Sequence, residues 1–141
     1  MRTVLDTNIY IAAALQGQLS EDILRMAATK KSIMLVVSEE ILTELQKKLQ
    51  NKFNWLKGDI DRFLIRIRKI AEVVSIADYV SIVTRDPEDN KILECALSGN
   101  ADLIVTADQD LIKLKMFRGI GIVHPKTLSW TFPEYFRKKR K

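Results

Sequence analysis

The stretch "DPEDNKILECALSGNADLIVTADQDL", Asp86 to Leu111, decides how the rest of the chain is read. Asp86 followed by Pro87 is a strong helix start: the aspartate side chain accepts an orphan N–H, and the proline has none to lose. Ile92, Leu93, Ala96 and Leu97 then recur at helical spacing. Gly99-Asn100 suits a left-handed stop. Leu103 to Val105 is a short apolar strand, and the acids Asp108 and Asp110 follow it closely.

Working outward, the same alternation recurs. Thr3 to Leu5 is a strand leading to Asp6 and an apolar stretch from Ile9 to Leu15. Ser20 is placed to cap a helix in which Ile23, Leu24 and Ala27 share a face. Ser32 to Val37 is β-branched and apolar on both sides, as a strand buried on both faces must be. Ser38 caps a helix carrying Ile41, Leu42, Leu45 and Leu49 on one side, and Asp59 opens another with Ile60, Phe63, Leu64 and Ile67. Further strands are expected at Val73 to Ile76 and Gly121 to Val123, and a final helix near Pro133. Strands alternating with helices predict an α/β fold: a three-layer α/β/α sandwich around a central parallel sheet of five strands. No repeat or long linker divides the 141 residues, so residues 1–136 read as one domain and 137–141 as a basic tail.

Composition narrows the classes. With 47% apolar and 29% charged residues, the chain has enough apolar content for a folded core, which excludes disordered and fibrous classes. Apolar runs fall far short of the roughly 20 residues a membrane helix needs, and the N-terminus opens directly into a strand. One cysteine, Cys95, allows no internal disulfide and suits a reducing cytoplasm. The net charge of +5 equals the five cations of "RKKRK", Arg137 to Lys141, so the body is neutral overall. Such a tail is compatible with phosphate contact and equally with a solvated terminus.

The acids carry the chemistry. Asp6 and Asp108 follow strands at one edge of the expected sheet, where open α/β folds place their ligands. Asp89 lies in the first turn of its helix, where the dipole favours its charge, and Glu44 flanks the apolar stripe of its own helix. Alone, each acid is most simply a cap or a surface charge. Together, several converging carboxylates repel one another, and a divalent metal is the usual resolution. His124 has no Ser or Cys nucleophile beside it, Cys95 reads as a small core residue, and one Cys with one His makes zinc unsuitable.

These residues resemble the PIN domain, a nuclease fold, over nearly the whole chain. "VLDTN", Val4 to Asn8, carries the likeness first, then the helical glutamate, then the segment from Asp86 to Leu111. The chain is most similar to the PIN toxins of prokaryotic toxin–antitoxin modules, which are ribonucleases held in check by a cognate antitoxin. The resemblance implies acidic roles for Asp6, Glu44, Asp89 and Asp108, with Asp110 as a more variable further acid and Asp86 left as the cap. Asn8 and Thr106 match polar positions that support the acids by hydrogen bonding. It implies one or two Mg²⁺ or Mn²⁺ ions, an RNA substrate, a product with a 5′-phosphate, and a homodimer.

Phosphodiester hydrolysis needs an activated water, in-line approach and relief of phosphoryl charge, which hard cations on carboxylates supply. Lys47, Lys48 and Lys52 on one helix, and Arg62, Arg66 and Lys69 on the next, are candidates for guiding RNA. Phe53, Trp55 and Leu56 between those helices suit a partner surface. Two other readings stay open. A haloacid-dehalogenase-like phosphatase also uses an aspartate after its first strand, but wants a second acid where this chain has Asn8. A non-cutting RNA-binding or assembly module would keep the fold without the chemistry.

Overall fold

A computed structural model describes residues 1–80 and 86–136. Six strands form one sheet: β1 (Arg2–Leu5), β2 (Met34–Ser38), β3 (Ala71–Val74), β4 (Leu103–Val105), β5 (Met116–Phe117) and β6 (Ile120–Val123). Their order is β3-β2-β1-β4-β6-β5. The first four and β6 run parallel, which accounts for the five expected strands, and β5 adds an antiparallel sixth. That strand is two residues long and closes through Arg118 and Gly119 at positive φ, too short to leave a periodic signal.

The helices are α1 (Thr7–Ala14), α2 (Gln18–Ala28), α3 (Glu39–Phe53), α4 (Lys57–Ile70), α5 (Pro87–Ser98), α6 (Gln109–Ile112) and α7 (Pro125–Thr131). The chain leaves β1 for β2 and β3, then returns through α5 to β4 on the other side of β1. With right-handed crossovers that reversal puts α1 to α4 on one face and α5 on the other, giving the sandwich. α5 lies against β1, β2 and β4. Leu35, Val36 and Val37 of β2 are fully buried, as a strand covered on both faces requires.

Capping explains most boundaries. Ser38 Oγ accepts the Ile41 N–H at 3.2 Å, and Asp86 Oδ1 accepts the Glu88 N–H at 2.9 Å. α5 stops as expected, though the left-handed residue is Asn100 (φ 51) and not Gly99 (φ −91). Gly99 matters for another reason: a Cβ there would stand 2.4 Å from Val36 Cγ1, so only glycine lets α5 end this close to β2.

Four expectations shift. α2 begins at Gln18 with Gly17 at its cap, because the Gly17 N–H turns back onto the Ala12 carbonyl at 2.8 Å; Ser20 is buried inside the helix. α4 begins at Lys57, and Asp59 sits in its first turn paired with Arg62. β3 starts at Ala71 directly after α4 and ends at Val74, where its register with β2 runs out at Ser38. The last helix starts at Pro125, capped by His124 Nδ1 accepting the Lys126 N–H at 3.1 Å, and Pro133 opens only a 3-10 turn. The basic tail, 137–141, lies outside the described residues.

Candidate active site

The reversal at β1 leaves the ends of β1 and β4 side by side with their connections diverging, the place where open α/β sheets take ligands. Asp6 follows β1 there. Its N–H donates to the Val105 carbonyl of β4 at 3.0 Å, which fixes its backbone. Asp6 Oδ1 accepts the Asn8 N–H at 3.2 Å, and Oδ2 accepts the Thr106 hydroxyl at 2.6 Å. Thr106 Oγ1 in turn accepts the Asp108 N–H at 3.0 Å, and Asp108 Oδ1 accepts the Asp110 N–H at 2.8 Å. Five residues from the ends of two strands are thus locked into one relay.

Asp6 is 7% exposed and Thr106 fully buried. Burial pushes the Asp6 carboxyl above its ordinary range; the Thr106 and Asn8 hydrogen bonds pull it back, the Asp108 charge pushes it further up, and Lys48 offsets that. The start of α5 faces this relay. Carboxylate oxygens of Asp86, Asp89 and Asp108 lie within 4.8 Å of one another, and Asp89 is 4% exposed. Two oxygens each about 2.1–2.4 Å from a single ion lie at most about 4.2–4.8 Å apart, so the spacing fits a hard dication.

Glu44 occupies the flank. It is 7% exposed, with Lys48 Nζ 3.4 Å from Oε1 and Lys91 Nζ 3.9 Å from the other oxygen. Among the described residues its Oε1 has no hydrogen-bond partner within bonding geometry. Lys48 donates instead to Glu88 Oε2 at 3.0 Å. Burial, then the neighbouring Glu88 carboxylate, push the Glu44 carboxyl up to about 7 against both lysines. Glu88 is held low by its contact with Glu44 despite its own burial, with help from Lys48, so a proton between the two acids sits on Glu44.

The family model PIN_3, described as a PIN domain, matches residues 2–110. This chain belongs to the PIN-domain family. A chain from VapBC2 of Rickettsia felis, solved bound to a DNA fragment from their promoter, has the same fold at 20% identity and a TM-score of 0.64. The match covers 88% of this chain and 98% of that chain. No curated protein matches.

Within this PIN domain the structure brings Asp89 and Asp108 into one cluster and ties Asp6 to it through Thr106. Glu44 is outside the three-oxygen group; Lys48, 3.4 Å from it, also pulls the Asp6 carboxyl down by its charge. Asp110 contributes its backbone N–H to the relay, and so does Asn8, whose side chain is not what supports Asp6. Asp86, read from sequence only as a cap, is both cap and cluster member. The signal was the spacing: Asp86 and Asp89, three apart at a helix start, fall on one side of a single turn.

Other candidates settle into structural roles. Cys95 is fully buried and its thiol is pushed up to about 12 by burial. Arg66 is engaged by Glu21 and Arg62 by Asp59. Trp55 packs edge-on against Phe63 at 6.2 Å, while Phe53 and Leu56 stay exposed beside it.

Proposed function

We propose that this PIN domain is a divalent-metal-dependent ribonuclease and the toxin of a toxin–antitoxin module. It works in the cytoplasm as a homodimer with a cognate antitoxin as its inhibitor. The observation that carries the catalytic part is the convergence of Asp86, Asp89 and Asp108 beside Asp6 at the sheet's switch point. The toxin assignment draws on the VapBC2 likeness and on the motif from Asp86 to Leu111. Among the described residues no helix is long and apolar enough to cross a membrane.

Asp86, Asp89 and Asp108 would hold the ion, with Asp6 alongside, Asp110 close by and Glu44 on the flank for a second. Mg²⁺ or Mn²⁺ at this position supplies a Lewis acid for the phosphoryl oxygens and makes water a better nucleophile. Thr106 orients Asp6, and the hydroxyl's bond from the Asp108 N–H keeps the two strand ends at one spacing. Glu44, with its proton poised near neutrality, is the group here able to hold or release one during turnover. Asn8 at the second acid's position, together with PIN-domain membership, leaves the phosphatase reading without support.

The test is cleavage of mixed RNA with Mg²⁺, Mn²⁺ or EDTA, alongside Asp89→Asn. Cutting should need the metal, leave 5′-phosphate ends and collapse in the variant. Protein that binds RNA yet leaves it intact in saturating Mn²⁺ would sink the proposal in favour of a non-cutting module.

A further inference from the structure

A cleft of about 490 Å³ opens between α2 and α7, lined by Leu19, Asp22, Lys126, Ser129, Trp130 and Phe136 among others. We infer that this cleft, with the basic tail that follows it, is an anchor for single-stranded RNA: a base stacks on Trp130, and Lys126 and Arg137 to Lys141 hold the backbone. The choice of ligand rests on the ribonuclease reading. The anchor is a second site, to which none of Asp86, Asp89 and Asp108 contributes.

Three observations carry it. The first is charge. The five consecutive cations from Arg137 to Lys141 equal the whole net charge of +5, and the rest of the chain is neutral. The acid cluster by itself repels a phosphate strand. Net attraction for a polyanion therefore comes from the tail.

The second is the platform at the root of that tail. Lys126, Ser129 and Trp130 fall three and four apart on α7, so they share one face. Trp130 is 74% exposed, a large aromatic surface left in water at the rim of a cleft. Aromatic rings beside cations hold single strands of any sequence, because every base has a face to stack. Lys126 is exposed and makes no ion pair among the described residues, so its ammonium is open to a phosphate. Phe136, the last described residue, lines the same cleft, so the tail starts from its wall.

The third is that the nearby acids do not account for the tail. Asp22 is buried and already paired with Arg25 at 2.6 Å. Glu134, in the neighbouring cleft that Phe136 also lines, is one carboxylate against five cations. A tail folded onto its own body would leave most of its charge unmatched, which favours a polyanion as the occupant.

The root of the tail also stands apart from the acids. The Ser32 hydroxyl, just ahead of β2, donates to Tyr135 Oη at 3.4 Å, whereas Asp6 and Asp108 come after β1 and β4. In parallel strands those are opposite edges of the sheet, about 13 Å apart for a strand of four residues. A long RNA can use both places, and a very short one cannot.

The test is fluorescence anisotropy of a labelled single-stranded RNA on the full chain in EDTA, where nothing is cut, across a salt series. Each phosphate contact on a single strand contributes about 0.7 to the slope of log K against log salt. A chain ending at Phe136 should lose about 2–3 from that slope and bind at least roughly tenfold more weakly at low salt. Trp130→Ala should weaken binding roughly tenfold with the slope unchanged, since stacking releases no counterions, and Trp130→Phe should restore most of the loss. In a Trp55→Phe background Trp130 is the one tryptophan left, and RNA should quench its emission.

A truncated chain with the wild-type slope overturns the inference, and so does Trp130→Ala with wild-type affinity. Tail-dependent binding to phosphatidylglycerol vesicles without tail-dependent binding to RNA overturns it in favour of a membrane surface. Cleavage in Mn²⁺ separates the anchor from the ribonuclease reading: truncation should raise KM for a long strand and leave a trinucleotide's KM as it was. RNA that is anchored but never cut sinks the ribonuclease reading and spares the anchor. Cleavage of the long strand with KM unchanged by truncation sinks the anchor alone.

Discussion

The pocket is built in two halves by two kinds of force. On the strand side, Asp6, Thr106 and Asp108 are fixed by short hydrogen bonds between backbone and side chain, 2.6 to 3.2 Å long. On the helix side, Glu44, Lys48, Lys91 and Glu88 are held by ion pairs of 3.0 to 3.9 Å, of which Lys48–Glu88 and Lys91–Glu44 bridge α3 and α5. Hydrogen bonds from fixed N–H groups specify direction, and a carboxylate so oriented suits a ligand that tolerates little error in geometry. Ion pairs through flexible lysines specify only proximity, and they can be exchanged. The strand side is thus fixed in direction, and the helix side only in proximity.

Removing an acid should hurt the two halves unequally. Asp89→Asn takes a buried oxygen from the three-carboxylate group, and RNA cleavage should fall roughly 100- to 1,000-fold, the scale for losing one group that stabilises developing charge. Mn²⁺ binding, read by calorimetry, should go with it. Glu44→Gln should cost cleavage about tenfold and leave most Mn²⁺ binding intact, since Glu44 lies outside that group. Equal Mn²⁺ losses in both variants would erase the division.

The relay can be tested without touching an acid. Thr106→Val keeps the shape but leaves Asp6 Oδ2 and the Asp108 N–H without their shared hydroxyl. Supporting groups of this kind are worth about 10- to 100-fold in metal affinity. A Thr106→Val protein that binds Mn²⁺ as wild type does would show that the relay is incidental.

How much of this was legible in the sequence follows from the range of the forces involved. Caps and periodicity are local, so Asp86-Pro87, Ser38 and the strands at Thr3 to Leu5 and Leu103 to Val105 could be read directly. The hydrophobic stripe of α3 placed Glu44 on a flank, where it is found. What escaped depends on contacts between distant segments. Ser20 looks like a cap, but the Gly17 turn onto Ala12 starts the helix earlier. Gly99 reads as a helix stop, and its close approach to Val36 needs the packed sheet. Asp86 satisfied the capping rule so completely that nothing local called for a second role. Lys48 is one of several cations on α3, and only the approach of Glu88 from α5 sets it apart.

The smallest effect expected is thermal, and it isolates the helix side. Asp6 and Glu44 both keep their protons to higher pH in the folded chain than in the unfolded one. Each therefore adds stability that is complete below its unfolded pKa and is lost as pH rises through the folded value, about 7 for Glu44. Glu88, held low, contributes the other way, but its contribution is lost only below the ordinary glutamate range. Between pH 5 and 7.5 the Glu44 contribution dominates, and the metal-free protein should lose roughly 1–2 kcal/mol, a fall in Tm of about 3–6 °C. Glu44→Gln carries no charge to bury, so its melting curve should stay nearly flat over that window and lie above wild type at pH 7.5. A flat wild-type profile would mean that Lys48 and Lys91 fully neutralise Glu44 and that their grip is tight despite its length.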